Sequence, residues 1–417
     1  MKQQRGHDVE PTCVHRRGNP LHGEYHPAFR SVAALLASNL VAGADVGAAL
    51  CLYLDGRKVV DIWGGTADPA TGREWARETL VPVFSCSKGV LTLCLLMLVE
   101  DGRVHIDDRV ADHWPAFAAG GKQDITIEHV LAHQAGLPLV EATPTLDELL
   151  AGDAIVQALE AQHPLWEPGT DHAYHAITFG TLVGEIIRGV TGQSPGEFLH
   201  DRAATVYGLD TWIGLPSTEH GRVATLSASP ESWSVPAALE MVRSYLALDD
   251  RLVRAATVNG ALHIPVPGID EECSLNAPHV LEHELPAANC TTTARSLAKF
   301  YAAAIGHIDG HGPFLSRELR TDATRVRSQG DGFFGLPGID TRWGLGFQVS
   351  SPVRPMPSTS SFGHDGAGGA LAFADHTHGV AFAYTPNQMG GFPDTRANTL
   401  VTEVEECLRG LDRPARQ

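Results

Sequence analysis

Positive charge is scarce in this sequence of 417 residues. Lysine and arginine together number 31 against 49 aspartates and glutamates, so the net charge is −18 with histidine neutral. Only five lysines occur, and they are Lys2, Lys58, Lys88, Lys122 and Lys299. Because such a chain attracts neither nucleic-acid phosphates nor acidic lipids, we expect no nucleic-acid partner and no membrane partner.

Long hydrophobic runs are also lacking, although 43% of the residues are hydrophobic and the chain is long enough to bury a sizeable core. The longest run, residues 90–99, is half as long as a helix that spans a bilayer, so it predicts a buried helix. Residues 1–14 are polar and contain no apolar segment of the kind that a secretory signal has. These features favour a soluble, cytoplasmic protein.

The seven cysteines are an odd number, and no two of them form a CxxC pair. Several lie in apolar segments, which favours reduced thiols in the core of a cytosolic protein over a disulfide framework. His22, Glu24 and His26 form H-x-E-x-H, which lacks the H-E-x-x-H spacing that places two imidazoles on one helical face. We interpret this segment as a polar loop, and we predict neither a metal nor another cofactor.

Hydrophobic periodicity predicts helices and strands in a definite order. Apolar residues at helical spacing indicate a helix over residues 29–40, and Asp55-Gly56 between two apolar runs indicates a β-hairpin of residues 47–54 and 58–64. A largely apolar helix is expected to follow Ser85 and to end at residue 100. The remaining expectations are mostly helical structure over 105–200, loops over 203–288 with one helix at 236–252, a helix at 294–305, strands at 344–349, 370–374 and 380–384, and a last helix at 395–408.

Strands thus lie at both ends of the chain, with a mainly helical region between them. This order predicts a single α/β (α+β) domain over residues 1–417, in which strands from both ends of the chain form one sheet. We expect a sheet lobe from about residues 25–85 and 294–417, and a helical and loop lobe from about residues 86–293. An active site would lie in the cleft between the lobes.

Ser85 and Lys88 form an S-x-x-K motif at the start of the apolar helix. Residues three apart share a helical face, so the serine hydroxyl can form a hydrogen bond with the lysine amine. Burial lowers the pKa of such an amine by about 3–5 units at most, which makes it a base that can activate the serine. A helix-capping serine beside a solvated lysine is the alternative. Ser296 and Lys299 repeat the motif within an amphipathic helix, and we interpret Lys299 as a solvated surface residue.

Two later segments complete the candidate site. Tyr174 begins a Tyr-His-Ala segment before a predicted helix, where it would act as general base and acid or would simply be a packed aromatic residue. Residues 362–369, with the sequence FGHDGAGG, come directly before a predicted strand, and an N–H group at a strand edge there would form half of an oxyanion hole. A glycine-rich turn with a loop histidine at His364 is the alternative.

Together and in this order, these three segments resemble those of the serine β-lactamase and penicillin-binding-protein superfamily. The nearest resemblance is to class C β-lactamases and to the β-lactamase-like carboxylesterases called family VIII esterases. It covers most of the chain, since residues 125–137 (ITIEHVLAHQAGL) and 167–170 (EPGT) resemble further family segments. The resemblance implies the β-lactamase/transpeptidase-like fold, which is an antiparallel sheet flanked by helices with an inserted helical lobe.

The resemblance also implies a role for each residue. Ser85 would be the acylated nucleophile, Lys88 its base, and Tyr174 the residue that carries protons to and from Ser85 and the leaving group. The segment HDG at 364–366 would replace the family's K-T-G motif, and the N–H of residue 367 would pair with that of the nucleophile as the oxyanion hole. The implied substrate-binding residues are therefore His364, Gly366 and Ala367.

Two departures from the family favour an ester as the substrate. Ala176 stands where β-lactamases have the asparagine of Y-x-N, and His364 stands where they have a lysine that recognises the β-lactam carboxylate. His364 could still donate a hydrogen bond or carry partial charge. We predict a serine hydrolase that cleaves small carboxylic esters through an acyl-enzyme on Ser85. The alternatives are an acyltransferase of the same fold, a β-lactamase or D,D-peptidase, and a non-catalytic binding protein; the sequence does not predict the oligomeric state.

Overall fold

The structure is a computed structural model that describes residues 12–13, 20–228, 249–263, 271–335, 340–391 and 394–411. Most of the predicted helix at 236–252 lies outside these residues. The strands are β1 (Thr12–Cys13), β2 (Leu21–Tyr25), β3 (Gly47–Leu54), β4 (Arg57–Asp68), β5 (Arg73–Glu74), β6 (Val81–Pro82), β7 (Thr211–Trp212), β8 (Ser227–Ala228), β9 (Thr291–Thr292), β10 (Ser328–Gln329), β11 (Arg342–Trp343), β12 (Gln348–Val349), β13 (Ser361–Asp365), β14 (Leu371–Asp375), β15 (Val380–Pro386) and β16 (Gln388–Met389). The α-helices are α1 (Arg30–Ala42), α2 (Cys86–Glu100), α3 (Val110–His113), α4 (Ile127–Leu131), α5 (Leu146–Ala151), α6 (Asp153–Ala161), α7 (Thr178–Thr191), α8 (Pro195–Leu199), α9 (Thr205–Tyr207), α10 (Asp250–Thr257), α11 (Pro278–Glu282), α12 (Ala294–Ile305), α13 (Arg317–Ala323) and α14 (Arg396–Leu411).

The main sheet has eleven strands and joins the two ends of the described chain. Its order is β1-β2-β4-β3-β15-β14-β13-β12-β11-β10, with β5 paired to β4. Every pair in it is antiparallel, and the central pair places Leu52 opposite Phe382. The prediction that strands from both ends form one antiparallel sheet is therefore confirmed. In a separate small sheet, β6-β9-β7, the strand β6 lies just before the nucleophile candidate in sequence.

The two faces of the sheet carry side chains of different size. Along β15, Phe382 and Tyr384 belong to the hydrophobic cluster that includes α1 and α14, whereas Ala381 and Ala383 belong to the cluster that includes α2 and α12. Successive side chains of a strand point to opposite faces, so this alternation separates large and small residues. The small residues leave room for α12, which contacts β3, β14 and β15.

Helix α2 is apolar on every side because it is surrounded by protein. All its residues from Cys86 to Leu98 are buried, as expected of a helix that is hydrophobic all round. It contacts α7, α8 and α12 and also β13, the strand that carries His364. The Cys86 thiol donates to the His364 carbonyl (3.1 Å), which ties the start of α2 to that strand. The predicted helix and its end at residue 100 are confirmed.

Several local predictions are wrong. The H-x-E-x-H segment is not a loop, because it forms β2, in which His22 lies opposite Trp63 of β4. Residues 344–347 do not continue a strand, because they turn between β11 and β12. There Gly346 has a φ of +70° and donates to the Leu131 carbonyl, and a Cβ at this position would lie 2.3 Å from the Thr92 hydroxyl oxygen. The chain bends to pass α2 at a point where only glycine fits.

The mostly helical region expected over 105–200 is helical only in part, since irregular segments separate short helices there. The division into a sheet lobe and a helical lobe stays a prediction. Among the described residues, no helix combines the length and apolar character needed to cross a membrane. The cysteines at 51, 86, 94, 290 and 407 are free thiols, as predicted.

Candidate active site

Ser85 lies at a strained turn between β6 and α2. It is the N-cap residue of α2, and Phe84 before it has a φ of +48°, a left-handed conformation that costs an ordinary residue about 1–3 kcal/mol. The turn is held by Ser87, whose hydroxyl donates to the Phe84 carbonyl (2.5 Å) and accepts from the Cys290 N–H (2.9 Å). The hydroxyl of Ser85 therefore stands at a helix N-terminus, where the helix dipole favours negative charge.

Lys88 is fully buried, and its amine contacts three oxygen atoms. Its Nζ lies 3.2 Å from Ser85 Oγ, 2.6 Å from the Ala176 carbonyl oxygen and 3.0 Å from the Ala287 carbonyl oxygen. Burial lowers the pKa of Lys88 to about 7, because the ammonium form loses its hydration. A neutral amine can donate one hydrogen to each carbonyl and direct its lone pair at the serine hydroxyl. The S-x-x-K spacing thus produces the contact that the sequence predicts.

The Tyr174 hydroxyl donates a hydrogen bond to Ser85 Oγ at 2.7 Å. Burial raises the pKa of Tyr174 above its usual value of 10, so the phenol keeps its proton at neutral pH and acts as a donor. Its ring stacks on Trp343, with centroids 5.3 Å apart, and the Lys88 amine lies 4.8 Å from the ring centroid. Three residues that the sequence selects from two distant segments therefore meet at one oxygen atom.

His364 lies inside β13, with β12 and β14 on either side, and not before a strand or on an outer strand as the sequence suggested. Its Nδ1 is 2.6 Å from the Asp365 carbonyl oxygen, so Nδ1 carries the hydrogen and Nε2 is left as an acceptor. In the described part of the chain, Nε2 has no hydrogen-bond partner. Burial lowers the pKa of His364 to about 4. The ring is therefore neutral at neutral pH, and its Nδ1 hydrogen is already donated to the Asp365 carbonyl, whereas a role for His364 in substrate binding stays a prediction.

The turn after β13 contains two further predicted residues, and Gly366 lies against the chain just before the serine. Gly366 is buried, and a Cβ on it would lie 2.3 Å from the Val83 carbonyl oxygen, so only glycine allows this approach. Ala367 is exposed. Among the described residues, the N–H groups of Ser85 and Ala367 donate to no backbone acceptor, which leaves both free to bind an oxyanion.

Two arginines, the buried Arg354 and the half-buried Arg396, hold this turn. Arg354 donates to Asp365 Oδ2 from Nε (3.1 Å) and from Nη2 (2.6 Å). Burial opposes ionisation of Asp365, but Arg354 outweighs it and lowers the pKa of the carboxyl below its usual value. Arg396 donates to the Gly368 carbonyl at 2.6 Å. The segment that contains the predicted oxyanion donor is thus fixed at both ends.

The second S-x-x-K motif has no such arrangement. The Lys299 side chain is only 18% exposed, and its amine bonds to the Tyr207 carbonyl (2.5 Å) and to Asp309 (2.6 Å). Ser296 instead donates its N–H to Thr293, the N-cap residue of α12, and its hydroxyl accepts from the Asp210 N–H. The interpretation of Lys299 as a solvated surface residue is therefore wrong, although its role is structural.

Sequence reasoning missed three residues that contact the site. His133 packs edge-on against the rings of Tyr174 (5.2 Å) and Trp343 (4.4 Å), and the Ala287 carbonyl accepts from Lys88. His133 lies in the segment 125–137 that resembles a family segment, and that resemblance was the one available signal for it. Trp343 and Ala287 carry no comparable signal, because their contacts depend on distant parts of the chain.

Comparison with known proteins places the chain in a family. The family model for beta-lactamases matches residues 33–406. Esterase/beta-lactamase LipL of Mycobacterium tuberculosis (strain ATCC 25618 / H37Rv) is 33% identical over 376 residues, which cover 89% of this chain and 84% of LipL. A solved family VIII carboxylesterase has a TM-score of 0.81 at 32% identity, with 93% of this chain and 99% of that chain covered. EstA from Arthrobacter nitroguajacolicus Rue61a has a TM-score of 0.79 at 28% identity, with 97% and 100% covered.

These findings confirm both the resemblance to family VIII carboxylesterases and the β-lactamase/transpeptidase-like fold that the sequence suggested. The similarity extends over most of each chain, so it concerns the whole fold and not a shared motif. The chain belongs to the beta-lactamase family.

Proposed function

We propose that this protein is a serine hydrolase that cleaves small carboxylic esters through an acyl-enzyme on Ser85. The observation that carries the proposal is that Ser85 Oγ contacts both Lys88 Nζ at 3.2 Å and the Tyr174 hydroxyl at 2.7 Å. A buried amine with a pKa of about 7 supports the role of base, and a phenol with a raised pKa supports the role of hydrogen-bond donor and acid.

In the acylation step, neutral Lys88 takes the Ser85 proton while Oγ bonds to the ester carbonyl carbon. The carbonyl electron pair moves to its oxygen, and the N–H groups of Ser85 and Ala367 bind the resulting oxyanion. When this intermediate collapses, the bond to the alcohol oxygen breaks, and Tyr174 gives that oxygen its proton. The proton held by Lys88 then restores the phenol, so charge and protons balance.

In the deacylation step, water replaces the alcohol. Lys88, again neutral, takes a proton from the water as it attacks the acyl carbon, and the same two N–H groups bind the second oxyanion. Collapse releases the carboxylic acid, Ser85 Oγ regains a proton from Tyr174, and the proton held by Lys88 then restores the phenol, so the enzyme returns to its starting state. Neither step requires a metal or an organic cofactor.

A neutral ester suits this site better than a β-lactam. Ala176 has no amide to offer a substrate and contributes its carbonyl to Lys88 instead. The pKa of His364 is lowered to about 4, so at neutral pH its ring does not supply the cation that would pair with a β-lactam carboxylate. The name of LipL includes both activities, which makes β-lactam hydrolysis the second candidate. Acyl transfer to an alcohol or amine differs from hydrolysis only in which acceptor reaches the acyl-enzyme.

The test is a panel of p-nitrophenyl esters with rising acyl length, run on the wild type and on Ser85→Ala. We expect turnover by the wild type, together with an acyl adduct on the intact protein mass, and neither in Ser85→Ala. Equal turnover by the two proteins would refute the proposal. Nitrocefin turnover as fast as that of the short esters would instead favour a β-lactamase, and an acyl product formed with added alcohol in place of the acid would favour an acyltransferase.

We also propose a cytoplasmic location, which is the location that the sequence favours. Separation of cell fractions with an antibody to the native protein tests it. Finding the protein in the extracellular or membrane fraction would contradict it.

A further inference from the structure

We propose that His133 is a positioning residue, which holds the backbone on both sides of Tyr174 so that the phenol meets Ser85. The inference rests on the proposed function, because it concerns how the same serine is activated. His133 does not touch the reacting oxygen in the contacts described above. His133 acts through Tyr174. The inference thus adds a fourth residue to Ser85, Lys88 and Tyr174, to which the sequence assigned the chemistry.

The first observation is that His133 binds the backbone N–H groups of both residues next to Tyr174. The Ala173 N–H donates to the His133 carbonyl oxygen (3.1 Å), and the His175 N–H donates to His133 Nδ1 (3.2 Å). A shift of Tyr174 along or across its segment would break one of these two bonds. The position of the phenol is therefore coupled to the position of His133.

The second observation is the backbone conformation of His133, which allows it to make both hydrogen bonds. His133 has a φ of +59°, in the left-handed region that a non-glycine residue seldom adopts. In this conformation the carbonyl and the imidazole of the same residue both face residues 173–175. Strain of this kind persists only where the surroundings impose it, and here it brings both acceptors to the tyrosine segment.

A second imidazole completes the clamp, which we define as His133 and His175. His175 Nδ1 donates to the Ala173 carbonyl oxygen (2.6 Å), and its Nε2 accepts from the Leu137 N–H (3.1 Å). The peptide groups on both sides of Tyr174 are thus bonded to imidazoles, and the segment is fastened to the chain that follows His133. Both rings are buried and belong to one aromatic group with Tyr174 and Trp343.

The clamp requires that His133 Nδ1 has a free lone pair. A protonated ring would turn a hydrogen at Nδ1 toward the His175 N–H, and the bond would be lost. Burial, together with the nearby His175 and Lys88, lowers the pKa of His133 well below 6.5. The ring is therefore neutral at physiological pH, and the acceptor is available.

The test compares His133→Asn with His133→Gly. Asparagine tolerates a positive φ and places an amide oxygen where Nδ1 stands, whereas glycine tolerates the φ without supplying an acceptor. The readout is the rate at which a fluorophosphonate labels Ser85, since Oγ displaces fluoride from phosphorus and gives its proton to Lys88. We expect labelling to slow about 100-fold in the glycine variant, as for a catalytic group displaced by roughly 1 Å, and less than about 10-fold in the asparagine variant. Ester kcat should fall in the same ratio, with little change in KM.

Two controls separate positioning from stability. Thr126→Ala removes the N-cap of α4, close to His133 in sequence, without touching the tyrosine segment, and it should destabilise the protein but keep the labelling rate. In a Tyr174→Phe background, replacing His133 by glycine should have almost no further effect, because its route to the serine is already gone.

Three results would overturn the inference. The first is a glycine variant that is labelled as fast as the wild type. The second is that His133→Gly slows labelling as much in the Tyr174→Phe background as in the wild type. The third is a folded asparagine variant that is labelled about 100-fold more slowly than the wild type. The last result counts even if the glycine variant does not fold. If the fluorophosphonate does not label Ser85 in the wild type, the proposed function is contradicted. If the wild type is labelled and the glycine variant is labelled at the same rate, only the clamp is contradicted.

Discussion

Replacing Lys88 by methionine tests whether the buried amine is neutral when it faces Ser85. Methionine has a similar length and no charge, so the variant keeps much of the packing and removes one titration. It also leaves the Ala176 and Ala287 carbonyls without their donor, which lowers the free energy of unfolding by an amount that does not depend on pH. The informative quantity is therefore how the difference in stability between the two proteins changes with pH.

The magnitude follows from the two pKa values of Lys88, about 7 in the folded protein against 10.5 for the free side chain. The folded pKa is lowered, so the unfolded chain binds more protons between these values, and the free energy of unfolding rises with pH there. At pH 7 about half of the folded molecules hold the proton and at pH 9 almost none do, while the unfolded chain stays largely protonated. From pH 7 to pH 9 the wild type should gain about 2 kcal/mol relative to the methionine variant.

Urea unfolding followed by tryptophan fluorescence at pH 7, 8 and 9 measures this difference. His364, with a folded pKa of about 4, is neutral in both folded proteins over this range and titrates alike in both unfolded chains, so it cancels from the difference. Ser85→Ala is the matched control, because it removes a contact of the amine without removing its titration, and its pH dependence should follow the wild type. A difference between the wild type and Lys88→Met that is constant from pH 7 to pH 9 would refute the reasoning, since it would mean that burial does not lower the pKa.

Three further predictions concern the same site. The kcat/KM for a neutral ester should fall below a midpoint near pH 7, since the buried lysine must be neutral to act as base, and a pH profile that is flat from 5 to 9 would contradict this. Gly366→Ala should lower kcat about 100-fold or more, because its Cβ would lie 2.3 Å from the Val83 carbonyl oxygen and displace the oxyanion turn. Gly410→Ala, at a position with open space, is its control and should keep wild-type kcat. Asp365→Asn should lower the free energy of unfolding by about 3–5 kcal/mol, because it leaves the Arg354 guanidinium buried without its ion pair, and urea unfolding would contradict this if the loss were under about 1 kcal/mol.

The parts of the fold that the sequence predicted well are those fixed by local pattern. The hairpin of β3 and β4 depends on an Asp-Gly turn between two apolar runs, and α2 depends on a continuous apolar segment that ends at Asp101-Gly102. The failures occur where distant chain segments decide the outcome. Gly346 turns because α2 lies beside it, and Lys299 is covered because residues 207 and 309 pack over it.

The candidate site divides in the same way. The contact between Ser85 and Lys88 follows from residues three apart on one helix, which is a local rule. Nothing local brings Tyr174 to the same oxygen, so its place came from the resemblance to a family and not from spacing. His133 was not predicted, because the role proposed for it depends on its hydrogen bonds to residues 173 and 175. Such pairings between distant segments leave no periodic pattern in the sequence.

The charges around Ser85 support a single interpretation of the site. Above pH 7 Lys88 is mostly neutral, burial keeps His364 uncharged, and the Asp365 carboxylate is matched by Arg354. A substrate carboxylate would therefore lose its hydration on entry without meeting an unmatched cation, and burying an unpaired charge is costly. A neutral ester avoids that cost, and in the proposed mechanism it develops negative charge only at the carbonyl oxygen, which the N–H groups of Ser85 and Ala367 would bind. On this proposal, the burial that would make the lysine a base also disfavours anionic substrates.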